Sequence, residues 1–431
     1  MFFLLFISLL FTEPNKVSAQ TSSKKLVVHG GPGAWTSPQY LRDNLSWIEA
    51  NRPYVDGSSV KISAGSGVFR TTLLDYSSVM NQLAPVRDLN SPTLNYNFVL
   101  IFNDRPGDLF DDGPWATTAQ NWATIARAAR DSGLVGIAFD NEEYSGRWSN
   151  YPGSADYPEK TLQEYQDQAR KRGREIMQAV MAVWPEAIIW TFNGPYYSEM
   201  KTLTECRVCT GHGPLNNQLF GPFAVGLMET RGSSATYVDG GSAYWYEQEN
   251  EFITSYNWRR YGMASTETNC YYIPASFRST YPSRINISFG LYNDPSSLYG
   301  GMTPALLRQV THYSLKHADS FVWYYVEGDN YLRSGGVSEE WAEALRLGKI
   351  DALGGTATPT PTPPTTTPAA CRADINGNGR VEIGDLSGIL YYWGQSCSQN
   401  QASCRADVNS NGRVEIGDIG GALYYWNDTC P

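Results

Sequence analysis

Four polar residues, Asp140, Asn141, Glu142 and Glu143, follow directly on the small and apolar run GIAF at 136–139, and three of the four are acids. Such a cluster has the residue types for acid–base work on an acetal. A carboxyl that keeps its proton can give it to a leaving oxygen, while an ionised one nearby attacks the carbon or activates water. Polar groups recur after other apolar runs: His29; Asn103 and Asp104; Asn193; Asp239; Asn293 and Asp294; Glu327 and Asp329. Rival chemistries are poorly furnished. The chain has only four His, and neither a GxSxG nucleophile elbow nor an HExxH zinc motif occurs in it.

The elements that must position these groups are strands alternating with helices. Strand-like runs fall at Leu26–Gly30, Ser59–Ser63, Phe98–Phe102, Leu134–Phe139, Ala187–Phe192, Thr236–Gly240, Ile285–Tyr292 and Phe321–Glu327. Amphipathic helical stretches lie between most of them, the clearest being TTAQNWATIARAARDSG and EYQDQARKRGREIMQAVMAVW. Eight such strands in about 330 residues predict an α/β fold, a (β/α)₈ TIM barrel, whose site gathers at the carboxyl ends of the strands. A doubly wound open sheet is the competitor, and no GxGxxG or phosphate loop speaks for it. Trp, Tyr and Phe make up 13% of the residues, with 13 Trp and 28 Tyr. Trp35, Tyr144, Trp190, Tyr244, Trp245, Tyr292, Trp323 and Tyr325 stand near strand ends, where flat rings with a polar handle suit the faces of sugars.

Composition narrows compartment and partners. The run MFFLLFISLLF, with Val17-Ser18-Ala19 ahead of Gln20, predicts a signal peptide over residues 1–19, since the run is too short to span a bilayer. A secreted, extracellular protein follows. A formal net charge of −10, from 33 basic and 43 acidic residues, argues against nucleic acid and anionic membrane as partners.

The barrel is expected over 20–352, followed by a Pro/Thr-rich linker at 353–370 whose core, TATPTPTPPTTTPAA, has nothing to bury. Residues 371–431 are a duplication, CRADINGNGRVEIGDLSGILYYWGQSC and CRADVNSNGRVEIGDIGGALYYWNDTC, offset by 33 residues. Each copy pairs an oxygen-rich loop with a short helix. The spacing of Asp374, Asn376, Asn378, the Arg380 carbonyl and Asp385 is that of a Ca²⁺ loop. Asp407, Asn409, Asn411, Arg413 and Asp418 repeat it. Seven Cys in an exported chain suggest disulfides. The equal separations within the copies make Cys371–Cys397 and Cys404–Cys430 the economical pairs, while Cys206, Cys209 and Cys270 stay open between a disulfide and half of a zinc site.

A duplicated calcium loop behind a Pro/Thr linker resembles a type I dockerin. The resemblance implies a small α-helical, EF-hand-like Ca²⁺ module that plugs its enzyme into a cohesin-bearing scaffold or cell-surface partner. Asn141-Glu142 at the end of the fourth strand resembles the large clan of (β/α)₈ glycoside hydrolases with an Asn-Glu pair there. By that resemblance Glu142 is the general acid/base, and Asn141 touches the hydroxyl beside the reacting carbon. The clan's second Glu belongs at the end of strand seven, where this chain has Asn293 and Asp294, so Glu327 on strand eight or Asp239 on strand six is expected as the partner carboxylate. Asp140, Asn103, Trp35, Tyr144, Trp190, Asn193, Trp245, Tyr292 and Trp323 are the expected sugar-binding set. The expected activity is hydrolysis of a polysaccharide, favouring endo action on a β-1,4-glucan such as cellulose or on a hemicellulose. A non-catalytic carbohydrate-binding barrel and an exo-acting or α-specific glycosidase are the alternatives.

Overall fold

In the computed structural model the chain divides into two compact units, one ending at Thr356 and one beginning at Ala357. The structure describes residues 24–87, 89–144, 148–198, 219–265, 273–293, 301–328 and 330–354 of the first, and 374–376, 380–395, 406–408, 413–414, 418–419 and 422 of the second. The expected signal segment, the linker from residue 355 onward and all seven Cys lie outside the described residues. No helix among the described residues is long and apolar enough to cross a membrane.

The first unit is an α/β barrel of nine parallel strand segments. They are β1 (Lys25–Gly30), β2 (Gly57–Lys61), β3 (Phe98–Phe102), β4 (Gly136–Asp140), β5 (Ile188–Thr191), β6 (Thr236–Asp239), β7 (Asn286–Ile287), β8 (Phe289–Tyr292) and β9 (Phe321–Val326). The pairing order is β7-β6-β5-β4-β3-β2-β1-β9-β8. Its two ends are consecutive in the chain, since only Ser288 separates β7 from β8. Hydrogen bonds from Ser288 N to the Asp239 carbonyl (2.8 Å) and from Gly290 N to the Gly241 carbonyl (2.9 Å) carry the ladder across the break. The expected single strand Ile285–Tyr292 is therefore one ring position in two halves, and β4 and β9 face each other across the ring.

The strands form because each alternates between two apolar environments with a period of two. Val27, Phe98, Leu100, Ala138, Trp190, Val238, Phe321 and Trp323 pack inside the barrel. Leu26, Val28, Val99, Ile101, Ile137, Ile189, Tyr237, Val322 and Tyr324 face the helices. The lower interior is filled by rings: Trp190 lies 5.1 Å from Phe98 and 5.2 Å from Phe321, centroid to centroid. The outer helices include α1 (Pro38–Asn51), α2 (Tyr76–Leu83), α3 (Asp112–Asp131) and α4 (Leu162–Val183). They are cut by local signals. Ser37 caps α1 ahead of Pro38, and Thr161 with Glu164 forms a capping box on α4. α3 starts five residues before the expected stretch, because Gly113 and Pro114 are tolerated in a first turn whose N–H groups need no helical partner.

Candidate active site

The alternation of β4 continues beyond the strand and separates the four polar residues that follow it. Asp140 and Glu142, in step with inward Ala138, line a cavity of about 500 Å³ at the carboxyl end of the barrel. Asn141 and Glu143 turn to the protein behind. Asn141 Oδ1 accepts from Asn193 N at 2.8 Å, and its carbonyl accepts from Asn103 Nδ2 at 3.1 Å. Asn103 Oδ1 in turn accepts from Trp148 Nε1 at 2.7 Å, and Glu143 Oε1 accepts from the backbone N of Trp148 and of Ser149, both at 2.9 Å. This network ties the ends of β3, β4 and β5 together. It fixes where the two cavity carboxyls emerge.

Burial pushes the Asp140 carboxyl up to about 8, and the neighbouring negative charge of Glu142 adds to the rise. Donation from Glu142 N (3.3 Å) and from the Tyr144 hydroxyl (3.2 Å) to Asp140 offsets only part of this. The Tyr144 hydroxyl also hydrogen-bonds Glu142, and its own pKa is raised, first by burial and then by the two carboxyls. Asp140 thus keeps its proton through the neutral range, beside Glu142.

Across the mouth, Glu327 sits just beyond β9 in an exposed position. Both of its oxygens are held: Tyr292 Oη donates to Oε2 at 2.8 Å and Tyr325 Oη donates to Oε1 at 2.6 Å. Between the rims lies an aromatic floor. Trp323 stacks on Phe192 at 4.6 Å and donates Nε1 to the Gly240 carbonyl at 2.8 Å. Two glycines make room for it: a Cβ on Gly290 would stand 2.3 Å from the Trp323 ring, and one on Gly31 would stand 2.2 Å from Tyr325 Oη. His29 completes the floor, 4.3 Å from Phe192, with Nδ1 2.6 Å from Ser59 Oγ. Burial pulls its pKa down to about 3, so the ring is neutral.

Of the residues expected from sequence, Asp140, Glu142, Glu327, Trp35, Tyr144, Asn193, Tyr292 and Trp323 line this one cavity. The others do not. The expectation that the turn after β6 exposes Asp239 is not met: Asp239 has no exposure, pairs with Arg259 Nη1 at 3.0 Å and accepts from Gly241 N at 3.1 Å. Its place is structural, linking the end of β6 to the helix α6 (Glu249–Arg260). Trp190 is one layer too deep and belongs to the barrel core. Trp245 is half-buried against the outer core. Asn103 and Asn141 stand behind the wall, and Asn193 presents the amide that the cavity actually contains. His29, Tyr244 and Tyr325, which the sequence places at strand ends without naming them as sugar ligands, line the cavity as well. Phe102, Phe192 and Ser242 carry no sequence signal beyond inward parity or a position one or two residues past a strand.

Among the described residues no group of three or more His, Cys, Asp or Glu is placed to hold a metal ion. In the second unit, the helix α11 (Ile383–Tyr391) follows the first loop, with α7 (Ala275–Arg278), α8 (Tyr281–Arg284), α9 (Pro304–His317) and α10 (Glu339–Ala352) preceding it in the first unit. Asp385 has no exposure and accepts from Asn376 N (3.0 Å) and Glu382 N (2.7 Å), so the acid at loop position twelve is turned inward. Asp407 and Asp418 are buried as well. Inward acids closing a turn fit the oxygen set of a hard cation. Asn378, Asn409 and Asn411 lie outside the described residues, as do Cys371, Cys397, Cys404 and Cys430. The two copies share one small core of Ile375, Val381, Ile389, Ala406, Val408, Val414 and Ala422.

No family model matches the chain, and no curated protein matches it. Solved structures similar to it include a glycoside hydrolase family 5 enzyme from Prevotella bryantii, at 13% identity and TM-score 0.39 over 76% of this chain and 96% of that one. A GH5_18 structure from Streptomyces cattleya with GlcNAc shows 15% identity and TM-score 0.43 over 80% and 83%. The 3-keto-D-glucoside 4-epimerase of E. coli shows 10% identity and TM-score 0.39 over 76% and 99%. The barrel assignment rests on the strand pairing given above.

Proposed function

We propose that the chain is a glycoside hydrolase, with Glu142 as general acid and Glu327 as the opposed carboxylate. The observation that carries this reading is the placement of Glu142 beside a proton-holding Asp140 on one rim of an aromatic-floored cavity, with a separate carboxyl group, Glu327, on the other rim. In the reaction the bond from the anomeric carbon to the bridging oxygen breaks, and Glu142 gives its proton to that oxygen. Water adds its oxygen to the carbon, and its released proton goes to Glu327. The proton that Glu142 gives is supplied by Asp140, which burial keeps protonated beside Glu142. Carboxyl groups on opposed strands favour the wider spacing that seats a water, and with it inversion of the anomeric centre. Asp239, paired with Arg259, has no part in the step. The test is release of reducing sugar across a panel of polysaccharides by wild type and Glu142→Gln. Release by wild type alone supports the reading, and equal release by both removes it.

One observation favours the second reading, a binding barrel without catalysis. Both oxygens of Glu327 are already engaged by protein phenols, Tyr292 on one and Tyr325 on the other. Sugar binding without release from any member of the panel would establish it.

The expected endo action on a β-1,4-glucan or hemicellulose and the cohesin-type partner rest on the dockerin resemblance of residues 371–431, secretion rests on the signal segment at 1–19, and Ca²⁺ rests on the spacing of the two loops. For the cation, Asp374, Asn376, Asn378, the Arg380 carbonyl and Asp385, with their counterparts in the second copy, are the residues that would hold it, and bound Ca²⁺ would neutralise the acids that close each loop. Exposed Ile383, Leu390, Tyr391 and Trp393 on and after α11 offer the apolar surface a protein partner needs. Chelation should lower the thermal stability of the second unit in the full chain and leave the barrel transition in place. An unchanged second-unit transition would remove calcium from the account.

A further inference from the structure

The sequence expects a neutral sugar, yet the donors and charges of the cavity are unevenly matched. Asp140, Glu142 and Glu327 all line it, and no Lys or Arg among the described residues does. His29 adds no positive charge, because burial keeps it neutral down to about pH 3. The nearest cation against a lining ring is Lys61, 3.8 Å from the Trp35 centroid, and Lys61 is not itself part of the lining. The hydroxyl donors are largely engaged by the protein: Tyr144 donates to Asp140, and Tyr292 and Tyr325 donate to Glu327. Acceptors therefore outnumber free donors. His29, almost wholly buried in the floor, keeps Nε2 without a hydrogen-bond partner among the described residues, so the cavity is shaped for a polar guest rather than for bulk apolar filling.

We infer that the sugar unit seated in this cavity carries a protonated amine, so that the substrate is an amino-sugar glycan rather than a neutral or uronic one. This rests on the hydrolase reading for the reaction, but not for the binding. An ammonium brings three donors and a positive charge to a site rich in carboxylate oxygens. The Trp323 and Tyr244 rings in the lining add attraction for a cation, which a carboxylate-bearing sugar would not receive. The chain's net charge of −10 draws a polycation toward the barrel from a distance and repels a polyuronate.

The experiment is calorimetric titration of the full-length Glu142→Gln chain, at mildly acidic pH, with tetramers of β-1,4-glucosamine, β-1,4-N-acetylglucosamine, β-1,4-glucose and galacturonate. Asp140→Asn replaces it if that variant does not fold. The amine tetramer should bind about tenfold more tightly than the glucose and N-acetyl tetramers, with the advantage shrinking in high salt. It should shrink as well when Glu327→Gln is added. Equal or tighter binding of the glucose, N-acetyl or galacturonate tetramer overturns the inference, as does an amine preference that Glu327→Gln leaves unchanged. Amine preference without cleavage by wild type would uphold the inference and remove the hydrolase reading. Cleavage of a neutral glucan with no amine preference would do the reverse.

Discussion

The two rims of the cavity each offer a carboxyl group, and they treat it in opposite ways. Past β4, Asp140 is buried beside a second acid and holds a proton to about pH 8. Past β9, Glu327 is exposed and receives two phenol hydrogen bonds. The same functional group becomes a proton store on one side and an anchored anion on the other. Burial and neighbouring charge assign the roles, and residue type alone does not.

The sharpest way to break this comparison is to remove the donor. Glu142→Gln keeps the shape and loses the transferable proton, and turnover should fall about 10³-fold with sugar affinity nearly kept. Undiminished kcat would move the acid elsewhere. On the opposite rim, Glu327→Gln should cost about 10²-fold in kcat, less than Glu142→Gln because the water it activates stays in place. A wild-type rate in that variant would make Glu327 a binding group only.

The smallest effect, and the one that sharpens the electrostatic side, comes from Asp140→Asn. In wild type kcat/KM should fall as pH rises through about 8, where Asp140 gives up its proton. Folded Asp140 binds its proton more tightly than an unfolded Asp, so its contribution to stability is complete below about pH 4 and is lost as pH rises to about 8. The variant should flatten thermal stability over that window and displace the basic limb of the rate profile. Superimposable profiles would show that the Asp140 proton has no part in the rate or the stability.

Much of this arrangement is legible in the sequence, for a physical reason. Strand alternation is strongly printed, so eight ring positions and the carboxyl-end location of the site follow from apolar runs alone. Parity also explains where sequence reasoning stops. Asn141 looks like a substrate ligand beside Glu142, yet its odd position turns it toward Asn193 N and away from the cavity. Asp239 ends a strand before two glycines, and only the structure reveals Arg259 reaching across to it. Trp190 shares inward parity with the true floor but lies a layer below it, since parity gives the face and not the depth. The break at Ser288 is invisible for a similar reason: it depends on which neighbours each half of the strand finds.

The opposition of the rims is tested most directly by proton NMR of the anomer first released when wild type cleaves an oligosaccharide. A donor on β4 and a water-activating carboxylate on β9 predict inversion, with the opposite anomer accumulating before mutarotation. Release of the anomer already present in the substrate would contradict the account, because it would require attack on the sugar by a group other than the water between the two rims.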